Sequence, residues 1–396
     1  MQKITPPSIV ISLAQACQKD GARLFLVGGS VRDALLGVKP KDWDLEVHGF
    51  TPQKLEPVLR KFAHIKKVGK SFGVWKLNSK SVEFDISVPV IQNQPAPFIG
   101  ITEALRRRDL RINAIAYDPL LQQYIDPFNG QQDIEAKRLH YTDAKAFAED
   151  PLRAFRVAQF AARLQFSPSQ ELISLCKNTS MNGIAVERIS IELEKLFLRS
   201  KKPSIGLRLL DKLDLYSRSI PMWTYNEKLL HCIDRAVAFR TRSAGWNLAL
   251  MWSVATHHLS HDKLLSLLDY LQIYTILGYK LRKSIVDGHQ FWAQLQSRCS
   301  DTQLRTLAES TAIDQIAMIS QSISPSDALQ NLSRAAELGI ENKSLPILIQ
   351  GRDLVAYGYK GLAIGKKLKE IRTAQLEGTL QTREQVLKLL SNEQQK

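Results

Sequence analysis

The chain has 396 residues, 44% of them hydrophobic and 23% charged, so it is long enough for two or more domains and is neither disordered nor collagen-like. Lys and Arg exceed Asp and Glu by 15, which favours a polyanionic partner. Four widely spaced cysteines argue against a disulfide framework, and the N-terminal apolar run is too short for a signal or membrane segment. We therefore expect a cytoplasmic protein without a membrane partner.

Residues 23–117 alternate β-like runs with helical stretches. The β-like runs are LFLVGG, DLEVHGF, GVWKL and VEFDISV, and the helical ones include VRDALLG and PQKLEPVLRKF. After residue 139 amphipathic helical periodicity continues to the end, with breaks near residues 167–169, 201–204 and 221. The pattern predicts an α+β fold, with a mixed sheet and helices first and only helices afterwards.

The segment LFLVGGSVRDALLG indicates a buried strand, a turn at Gly28-Gly29 and a helix. Adjacent glycines let backbone N–H groups approach a ligand closely, and a helix N-terminus favours an anion such as a triphosphate. A simple tight turn is the alternative, because the segment matches neither a Walker loop nor a dinucleotide fingerprint.

Asp42 and Asp44 lie two residues apart at the start of the next β-like run, so a strand would place both carboxylates on one face. Neighbouring carboxylates repel each other unless a cation lies between them, and hard oxygen ligands suit Mg²⁺ that bridges to phosphate. The run VEFDISV supplies Asp85 as a candidate third carboxylate, although a surface Asp fits equally well. From these residues alone, a solvated strand entry and a metal site are equally favoured.

In this order and spacing, the Gly-Gly turn, Arg32-Asp33 and the two aspartates resemble the class II template-independent nucleotidyltransferases. These are the tRNA CCA-adding enzymes with their CC-adding, A-adding and poly(A) polymerase relatives. The similarity continues through ALRRRDLRINAIAYDP, YIDPFNGQQDI, AEDPLRAFRVAQFAARLQF and ERISIELEKLF, over residues 24–197. The resemblance implies a head with a polymerase-β-like palm over residues 1–140, a helical neck over 141–204, a helical body over 205–345 and a basic helical tail over 346–396.

The resemblance also implies roles for single residues. Asp42 and Asp44 would hold two Mg²⁺ ions, with Asp85 as the candidate third catalytic carboxylate. Gly28, Gly29 and Arg32 would seat the triphosphate. The other positions expected to bind nucleotide are Arg108, Asp109, Asn113, Asp150, Arg153 and Arg156.

Two of these groups carry specificity in the resembling enzymes. Asp109 and Asn113 match the element that recognises the ribose, whereas a basic helix face is the simpler interpretation of that block. Asp150 and Arg153, three residues apart, can mimic the Watson–Crick edge of a base, and an intrahelical ion pair is the alternative. The helix ERISIELEKLF, with Arg188 on its polar stripe, is expected to have a mainly structural role.

The segment VPVIQNQPAPFIGITEAL departs from the family. It contains three prolines and no Lys or Arg, so it looks short and stiff. CCA-adding relatives carry a long flexible loop here, which helps the pocket change from CTP to ATP, and CC-adding members lack it. The sequence therefore favours addition of two cytidines, with a separate A-adding enzyme completing the end, over full CCA addition. A poly(A) polymerase and a catalytically silent RNA-binding protein are the remaining alternatives.

The body and tail carry two further predictions. Met251-Trp252 stand where some relatives have the His-Asp of a metal-dependent phosphohydrolase, so we expect no such activity. The nearby cluster of His257, His258, His261 and Asp262 is interpreted as a solvated helix end, with a metal site as the alternative. The partners implied by the resemblance are CTP, ATP in the case of full CCA addition, and the 3′ end and elbow of tRNA. A basic helix near the C-terminus is expected to bind the elbow through Lys366, Lys367, Lys369 and Arg372, and a solvated amphipathic helix is the alternative.

Overall fold

The computed structural model describes residues 4–40, 42–68, 74–79, 82–92 and 94–394. Gly73, which the sequence places in a strand, and Asn93, in the proline-rich segment, lie outside these ranges. The chain folds into two compact units, one formed by Met1–Glu192 with Ile205–Ser219 and the other by Leu193–Ser204 with Ile220–Lys396. The division into head, neck, body and tail stays a prediction.

The strands all lie in the first unit. They are β1 (Arg23–Val27), β2 (Asp42–His48), β3 (Ile65–Val68), β4 (Val74–Ser79), β5 (Val82–Ser87), β6 (Val90–Ile91), β7 (Gln94–Pro95), β8 (Ala116–Asp118), β9 (Gln123–Ile125), β10 (Arg138–Leu139) and β11 (Ser167–Pro168). Within the described residues, seven of them form one sheet in the order β3-β4-β5-β2-β1-β8-β9. The strands β6 and β7 form a separate short hairpin, and β10 pairs with β11.

The large sheet is mixed, as the sequence predicted. β1 runs antiparallel to both β2 and β8, whereas β2 runs parallel to β5. The four apolar residues of β1 after Arg23 are all buried, which fits a central strand covered on both faces. Both neighbours of β2 therefore hold it in the middle of the sheet, where its side chains meet those of β1 and β5.

Helices account for most of the remaining chain. In the first part of the chain they are α1 (Ser8–Lys19), α2 (Gly28–Leu35), α3 (Pro52–Arg60), α4 (Ile101–Arg106), α5 (Gly130–Glu135), α6 (Ala144–Ala148), α7 (Leu152–Leu164), α8 (Gln170–Asn178), α9 (Val186–Arg199), α10 (Pro203–Lys212) and α11 (Leu215–Ser219). Further on they are α12 (Glu227–Ala236), α13 (Ala244–Thr256), α14 (His261–Tyr270), α15 (Leu281–Phe291), α16 (Asp301–Ala308), α17 (Ile313–Ile323), α18 (Ala328–Glu337), α19 (Gly351–Ala356), α20 (Leu362–Glu377) and α21 (Arg383–Gln394). The predicted breaks near residues 167–169 and 221 fall between helices, and the break near 201–204 includes the start of α10 at Pro203.

The second unit is helical throughout its described residues. Helix α13 is buried almost all round, as expected for a helix that is apolar on every side, and it packs against α12, α15 and α17. A smaller core near the C-terminus joins α19, α20 and α21 through five buried residues: Ile349, Leu354, Ile371, Val386 and Leu390. Among the described residues, no helix combines the length and apolar character that crossing a membrane requires.

The end of α13 differs from the solvated helix end that the sequence predicted. His257 is half-buried there, its Nδ1 lies 2.8 Å from the carbonyl oxygen of Val254, and burial lowers its pKa. His258 is exposed, and its Nε2 lies 2.8 Å from the carbonyl oxygen of Thr224. These imidazoles bind backbone carbonyls, and so contribute to the local structure of the unit.

Candidate active site

The two faces of β2 differ in chemistry because its residues alternate. One face is apolar and buried, and consists of Trp43, Leu45 and Val47. The other face is polar, and consists of Asp42, Asp44, Glu46 and His48. Asp85 of β5 lies directly opposite Asp44 in the parallel register. The structure therefore gathers the three predicted carboxylates on one face of the sheet, with Asp42 exposed at its outer end.

Asp44 is held in an environment that disfavours its ionised form. Burial raises its pKa, and the neighbouring Asp85 adds to the rise. The Arg108 guanidinium and the backbone N–H groups of Ser30 and Gly29 act in the opposite direction without cancelling the effect. The Ser30 nitrogen lies 3.4 Å from Oδ2 of Asp44. The protein itself neutralises ionised Asp44 incompletely, so a cation beside it would stabilise it.

The donor atoms on this face fit a hard divalent cation. Oδ1 of Asp85 is buried and accepts no well-aligned hydrogen bond, although Nζ of Lys76 lies 3.0 Å away. Among the described residues, no group of three or more His, Cys, Asp or Glu could by itself hold a metal ion. Mg²⁺ does not need such a cage, because it commonly binds one or two carboxylates together with water and substrate phosphates. Asp42 and Asp44 are the residues that would hold it here.

The Gly-Gly turn lies against this carboxylate face at the start of α2. Gly28 has φ +65°, a conformation that side chains with a Cβ rarely adopt. A Cβ at this position would lie 2.7 Å from Nη1 of Arg108, and one at Gly29 would lie 3.3 Å from Oδ2 of Asp44. The glycines thus leave the space in which a guanidinium and a carboxylate approach the backbone together.

Glu46 holds Arg108 in this position. Nη2 of Arg108 donates to Oε2 of Glu46 at 3.2 Å, and the other oxygen of Glu46 lies 3.0 Å from Nε2 of His48. Nδ1 of His48 faces the carbonyl oxygen of Ile99 at 2.9 Å. Burial alone would raise the pKa of Glu46, but the His48 hydrogen bond and the Arg108 charge outweigh it and lower that pKa. A buried chain of contacts therefore links the proline-rich segment to Arg108.

Arg32 lies beside the turn but is only 3% exposed. Its Nε and Nη2 donate to Oδ1 of Asp33 at 2.9 and 2.6 Å, and its Nη1 donates to Oδ1 of Asn113 at 2.5 Å. The second oxygen of Asp33 accepts from Arg163 at 3.0 Å. Arg32 thus belongs to a buried network in this structure, and its contact with a triphosphate stays a prediction.

Asp109 is the centre of the same network. Its Oδ1 accepts from the side-chain amide of Asn113 at 3.0 Å and from the backbone N–H of Leu110 at 2.8 Å. Its Oδ2 accepts from Nε of Arg156 at 2.8 Å, and Nη2 of Arg156 lies 2.8 Å from the same oxygen as an ion pair. Burial would raise the pKa of Asp109, but the Arg156 charge and these hydrogen bonds reverse the effect and lower it to about 2. The predicted ribose-recognition pair, Asp109 and Asn113, is therefore held rigidly.

The base-recognition residues line an open pocket of about 610 Å³. Its walls come from the β6–β7 hairpin, from the end of α4 and from α7 and α9. The lining residues are Val90, Gln92, Arg107, Glu149, Asp150, Arg153 and Arg188. The structure brings Asp150 and Arg153 to one pocket, as predicted, and adds the hairpin as a wall.

Asp150 and Arg153 do not neutralise each other in this pocket. Oδ2 of Asp150 accepts from Nη2 of Arg188 at 2.8 Å. Arg153 donates from Nη1 to the carbonyl oxygen of Ala146 and from Nη2 to that of Arg107, both at 2.7 Å. These two bonds use only two of the five guanidinium N–H groups. A fixed carboxylate and a fixed guanidinium can therefore present an acceptor and donors to a ligand.

The basic helix near the C-terminus carries both exposed cations and cations that are paired within the protein. Lys366 and Lys369 are exposed. Lys367 is buried, with Nζ at 2.6 Å from Glu393 and 3.0 Å from Glu370. Arg372 pairs with Glu309 at 2.5 Å and also donates to backbone carbonyls. The two exposed lysines are thus the ones most accessible to a polyanion.

Several residues of the site were not among those predicted. Glu46 and His48 extend the alternation of Asp42 and Asp44 along β2, so the period of two could have placed them on the polar face. Lys76 and Arg188 gave no comparable signal, because their importance depends on which strand or turn lies beside them. Arg188, expected to be mainly structural, contacts the candidate base-reading carboxylate, and its role stays a prediction.

Part of the chain is similar in sequence to known proteins. The family described as "Poly A polymerase head domain" matches residues 24–140. A CCA-adding enzyme of Marinobacter nauticus is 35% identical over 233 residues, which are 53% of this chain and 60% of that enzyme. The alignment thus spans less than two thirds of that relative.

Solved structures extend the similarity in fold. A CCA-adding enzyme of Bacillus stearothermophilus in complex with CTP has a TM-score of 0.79 at 21% identity, with 99% of this chain and 98% of that chain covered. A Thermotoga maritima CCA-adding enzyme complexed with a tRNA has a TM-score of 0.65 at 20% identity, with 99% and 97% covered. At these identities the likeness establishes the fold, including the predicted α+β class. The sequence match over residues 24–140 shows that this part of the chain is similar to the poly A polymerase head domain.

Proposed function

We propose that this protein is a template-independent tRNA nucleotidyltransferase that adds the terminal cytidines of the CCA sequence to the 3′ end of tRNA. The observation that carries the proposal is the gathering of Asp42, Asp44 and Asp85 on one sheet face, beside the Gly28 turn and Arg108. The similarity to a CCA-adding enzyme supports it, as does a likeness in fold to enzymes solved with CTP and with tRNA.

In the proposed reaction the 3′-hydroxyl of tRNA attacks the α-phosphorus of CTP, and the bond to the leaving pyrophosphate breaks. Mg²⁺ ions, when bound, would lower the pKa of the attacking hydroxyl and neutralise the leaving group. Asp42 and Asp44 would hold these ions. Arg108, which Glu46 holds over Gly28, is placed to neutralise phosphate oxygens that approach the turn.

Recognition of the nucleotide is assigned to two groups of residues. Asp109 and Asn113 would bind the ribose hydroxyls, and the Arg156 contact keeps the Asp109 carboxyl ionised at neutral pH. Asp150 and Arg153 would bind the base edge, because they offer an acceptor and donors within one open pocket. The Arg188 contact with Asp150 supports this division of roles, since it fixes the direction of the acceptor.

The proline-rich segment supports addition of CC without the final adenosine. It forms the short β6–β7 hairpin and is tied to the end of β2, where the Gly49 backbone N–H donates to the Pro97 carbonyl at 2.7 Å. The backbone N–H of Ala96 donates to the Pro89 carbonyl, also at 2.7 Å. These bonds restrain the segment that forms a wall of the base pocket. A pocket with a restrained wall favours one base, and a separate A-adding enzyme would then complete the end.

Charge supports an RNA partner. The formal net charge is +15, and Lys366 and Lys369 are exposed where contact with the tRNA elbow is proposed.

The cysteines support a cytoplasmic location. All four are free, and three of them are buried, which suits a reducing compartment.

Incubation of the purified protein with a tRNA transcript that lacks its CCA end tests the proposal. We expect CTP alone to extend the transcript by two nucleotides, and ATP to add nothing to that product, on a denaturing gel. Asp42→Asn and Asp44→Asn should each reduce extension below detection, whereas Asp20→Asn, an exposed control, should not. Efficient addition of a final adenosine would show that the protein adds the full CCA sequence and not CC alone. Long adenosine tracts would indicate a poly(A) polymerase, and no extension with any nucleotide would contradict the proposal.

A further inference from the structure

A basic residue lies next to the carboxylate face and has no role in the mechanism described above. Lys76 of β4 is the direct cross-strand neighbour of Asp85, which in turn is the neighbour of Asp44. Directly opposed residues of adjacent strands share a sheet face, so the three side chains form a row across the sheet. Nζ of Lys76 lies 3.0 Å from Oδ1 and 3.5 Å from Oδ2 of Asp85.

The charge of Lys76 acts on more than one carboxylate. Its pKa is raised by the hydrogen bond and charge of Asp85, and Glu83 and Asp42 add to the rise. The Lys76 side chain is 44% exposed and that of Asp85 is 36% exposed, so water reaches this pair. An ion pair in such a position contributes little stability, and a competing cation can displace it.

The alignment of the pair also leaves room for a competitor. Oδ1 of Asp85 is buried but accepts no well-aligned hydrogen bond, even though the ammonium group lies close to it. Lys76 therefore supplies charge to Asp85 without fully satisfying its lone pairs. A divalent cation at Asp44 would be attracted to the same oxygen and repelled by the same ammonium group.

We propose that Lys76 is an internal counter-ion that competes with the divalent cation for Asp85 and thereby weakens metal binding in the nucleotide-free protein. Because of this competition, stable metal binding requires the additional oxygens of a nucleoside triphosphate. Lys76 acts through Asp85, so it is a positioning residue. The inference rests on the proposed function, in which Asp42 and Asp44 hold the metal.

Binding of Mn²⁺ to the protein without nucleotide or tRNA, followed by electron paramagnetic resonance, tests this inference. We expect Lys76→Met to bind Mn²⁺ roughly three- to tenfold more tightly than the wild type, because one positive charge is removed near the carboxylates. Lys76→Arg keeps the charge and should bind like the wild type. Lys67→Met is the matched control, because Lys67 pairs with Trp75 in register and so lies on the opposite sheet face. In the Lys76→Met background, Asp85→Asn should remove the gain.

The outcomes separate this inference from the proposed function. If Asp42→Asn abolishes Mn²⁺ binding but Lys76→Met binds no more tightly than Lys67→Met, the inference is wrong and the proposed metal site stands. If Asp42→Asn leaves Mn²⁺ binding unchanged both in the wild type and in Lys76→Met, the inference and the metal role of Asp42 are both wrong. Thermal melting of each variant without metal identifies any variant that fails to fold. If Lys76→Met does not fold, the Mn²⁺ affinity of Lys76→Arg is compared with that of the wild type.

Discussion

Two aspartates of the candidate site have pKa values that are shifted in opposite directions. Asp109 accepts one hydrogen bond from Arg156, with which it also forms an ion pair, and one from Asn113, and its pKa falls to about 2. Burial and, to a smaller extent, the neighbouring Asp85 raise the pKa of Asp44 despite Arg108. A carboxylate that the protein neutralises is held in one orientation, whereas one that is incompletely neutralised attracts a cation. At the scale of single residues, this contrast separates the candidate ribose-binding carboxylate from the candidate metal ligand.

Asp109→Asn should destabilise the protein at neutral pH by about 2–4 kcal/mol, because it removes the buried charge that pairs with Arg156 at 2.8 Å and leaves Arg156 with the longer contact of 3.6 Å to Glu192. The pKa of Asp109 is about 2 in the folded protein, below the usual value, so its contribution is complete above about pH 4 and is lost as the pH falls toward 2. The difference in melting temperature between wild type and variant should therefore shrink between pH 7 and pH 3.

Asp214→Asn is the matched control for this prediction. Asp214 is exposed and faces Lys177 at 3.3 Å, so its substitution should change the unfolding free energy by less than about 0.5 kcal/mol. A variant at Asp109 that melts like this control at neutral pH would contradict the stabilising role of the buried network.

At the scale of secondary-structure elements, the base pocket depends on where three elements begin and end. Asp150 precedes α7, Arg153 lies in its first turn, and Arg188 lies in the first turn of α9. The β6–β7 hairpin closes another side with Val90 and Gln92. Because helix ends leave backbone groups unpaired, Arg153 can bind carbonyl oxygens of the neighbouring segments and become fixed. The specificity of the pocket is therefore set by element ends.

Arg188→Ala should weaken selection of the base. Without the contact of 2.8 Å from Arg188, Oδ2 of Asp150 loses its partner and the carboxylate can rotate away from the base. We expect the KM for CTP to rise about threefold to tenfold with a smaller change in kcat, and misincorporation of UTP to increase. Steady-state kinetics with each nucleotide measure this.

Arg199→Ala, on the last turn of the same helix and exposed, serves as the control for Arg188→Ala. Its kinetic constants should match those of the wild type. Equal KM values for CTP in the Arg188 variant and the wild type would return Arg188 to a purely structural role.

For the molecule as a whole, the positive charge is not uniformly available to a ligand. Many cations are paired within the protein, such as Lys367 with Glu393 and Arg372 with Glu309. Others, such as Lys366 and Lys369, are exposed on the same helix, α20. Net charge alone favours association with RNA, but only accessible cations release counterions when they meet phosphates.

The double substitution Lys366→Ala and Lys369→Ala should weaken tRNA binding and reduce its dependence on salt. If each lysine meets one phosphate, the slope of log Kd against log salt should fall by about 1.5. Titration of labelled tRNA at several salt concentrations measures this slope. Lys263→Ala, an exposed control on α14, should leave it unchanged, and an equal slope in the double variant would contradict tRNA contact at this helix.

The sequence by itself determined the strands β1, β2, β4 and β5, the α+β class and the placement of Asp42 and Asp44 on one face, because alternation along a strand is a local property of the chain. It also predicted the helix that carries Arg153, which the structure places at Leu152–Leu164, directly after Asp150 and Pro151. It did not predict the shorter strands, among them β11 in the region expected to be helical. Tertiary structure alone decided that β2 pairs with β5 and so brings Asp85 and Lys76 beside Asp44. It also decided that Arg188 meets Asp150. These contacts join residues far apart in the chain, and the order of strands and the packing of helices fix them, which no local pattern records.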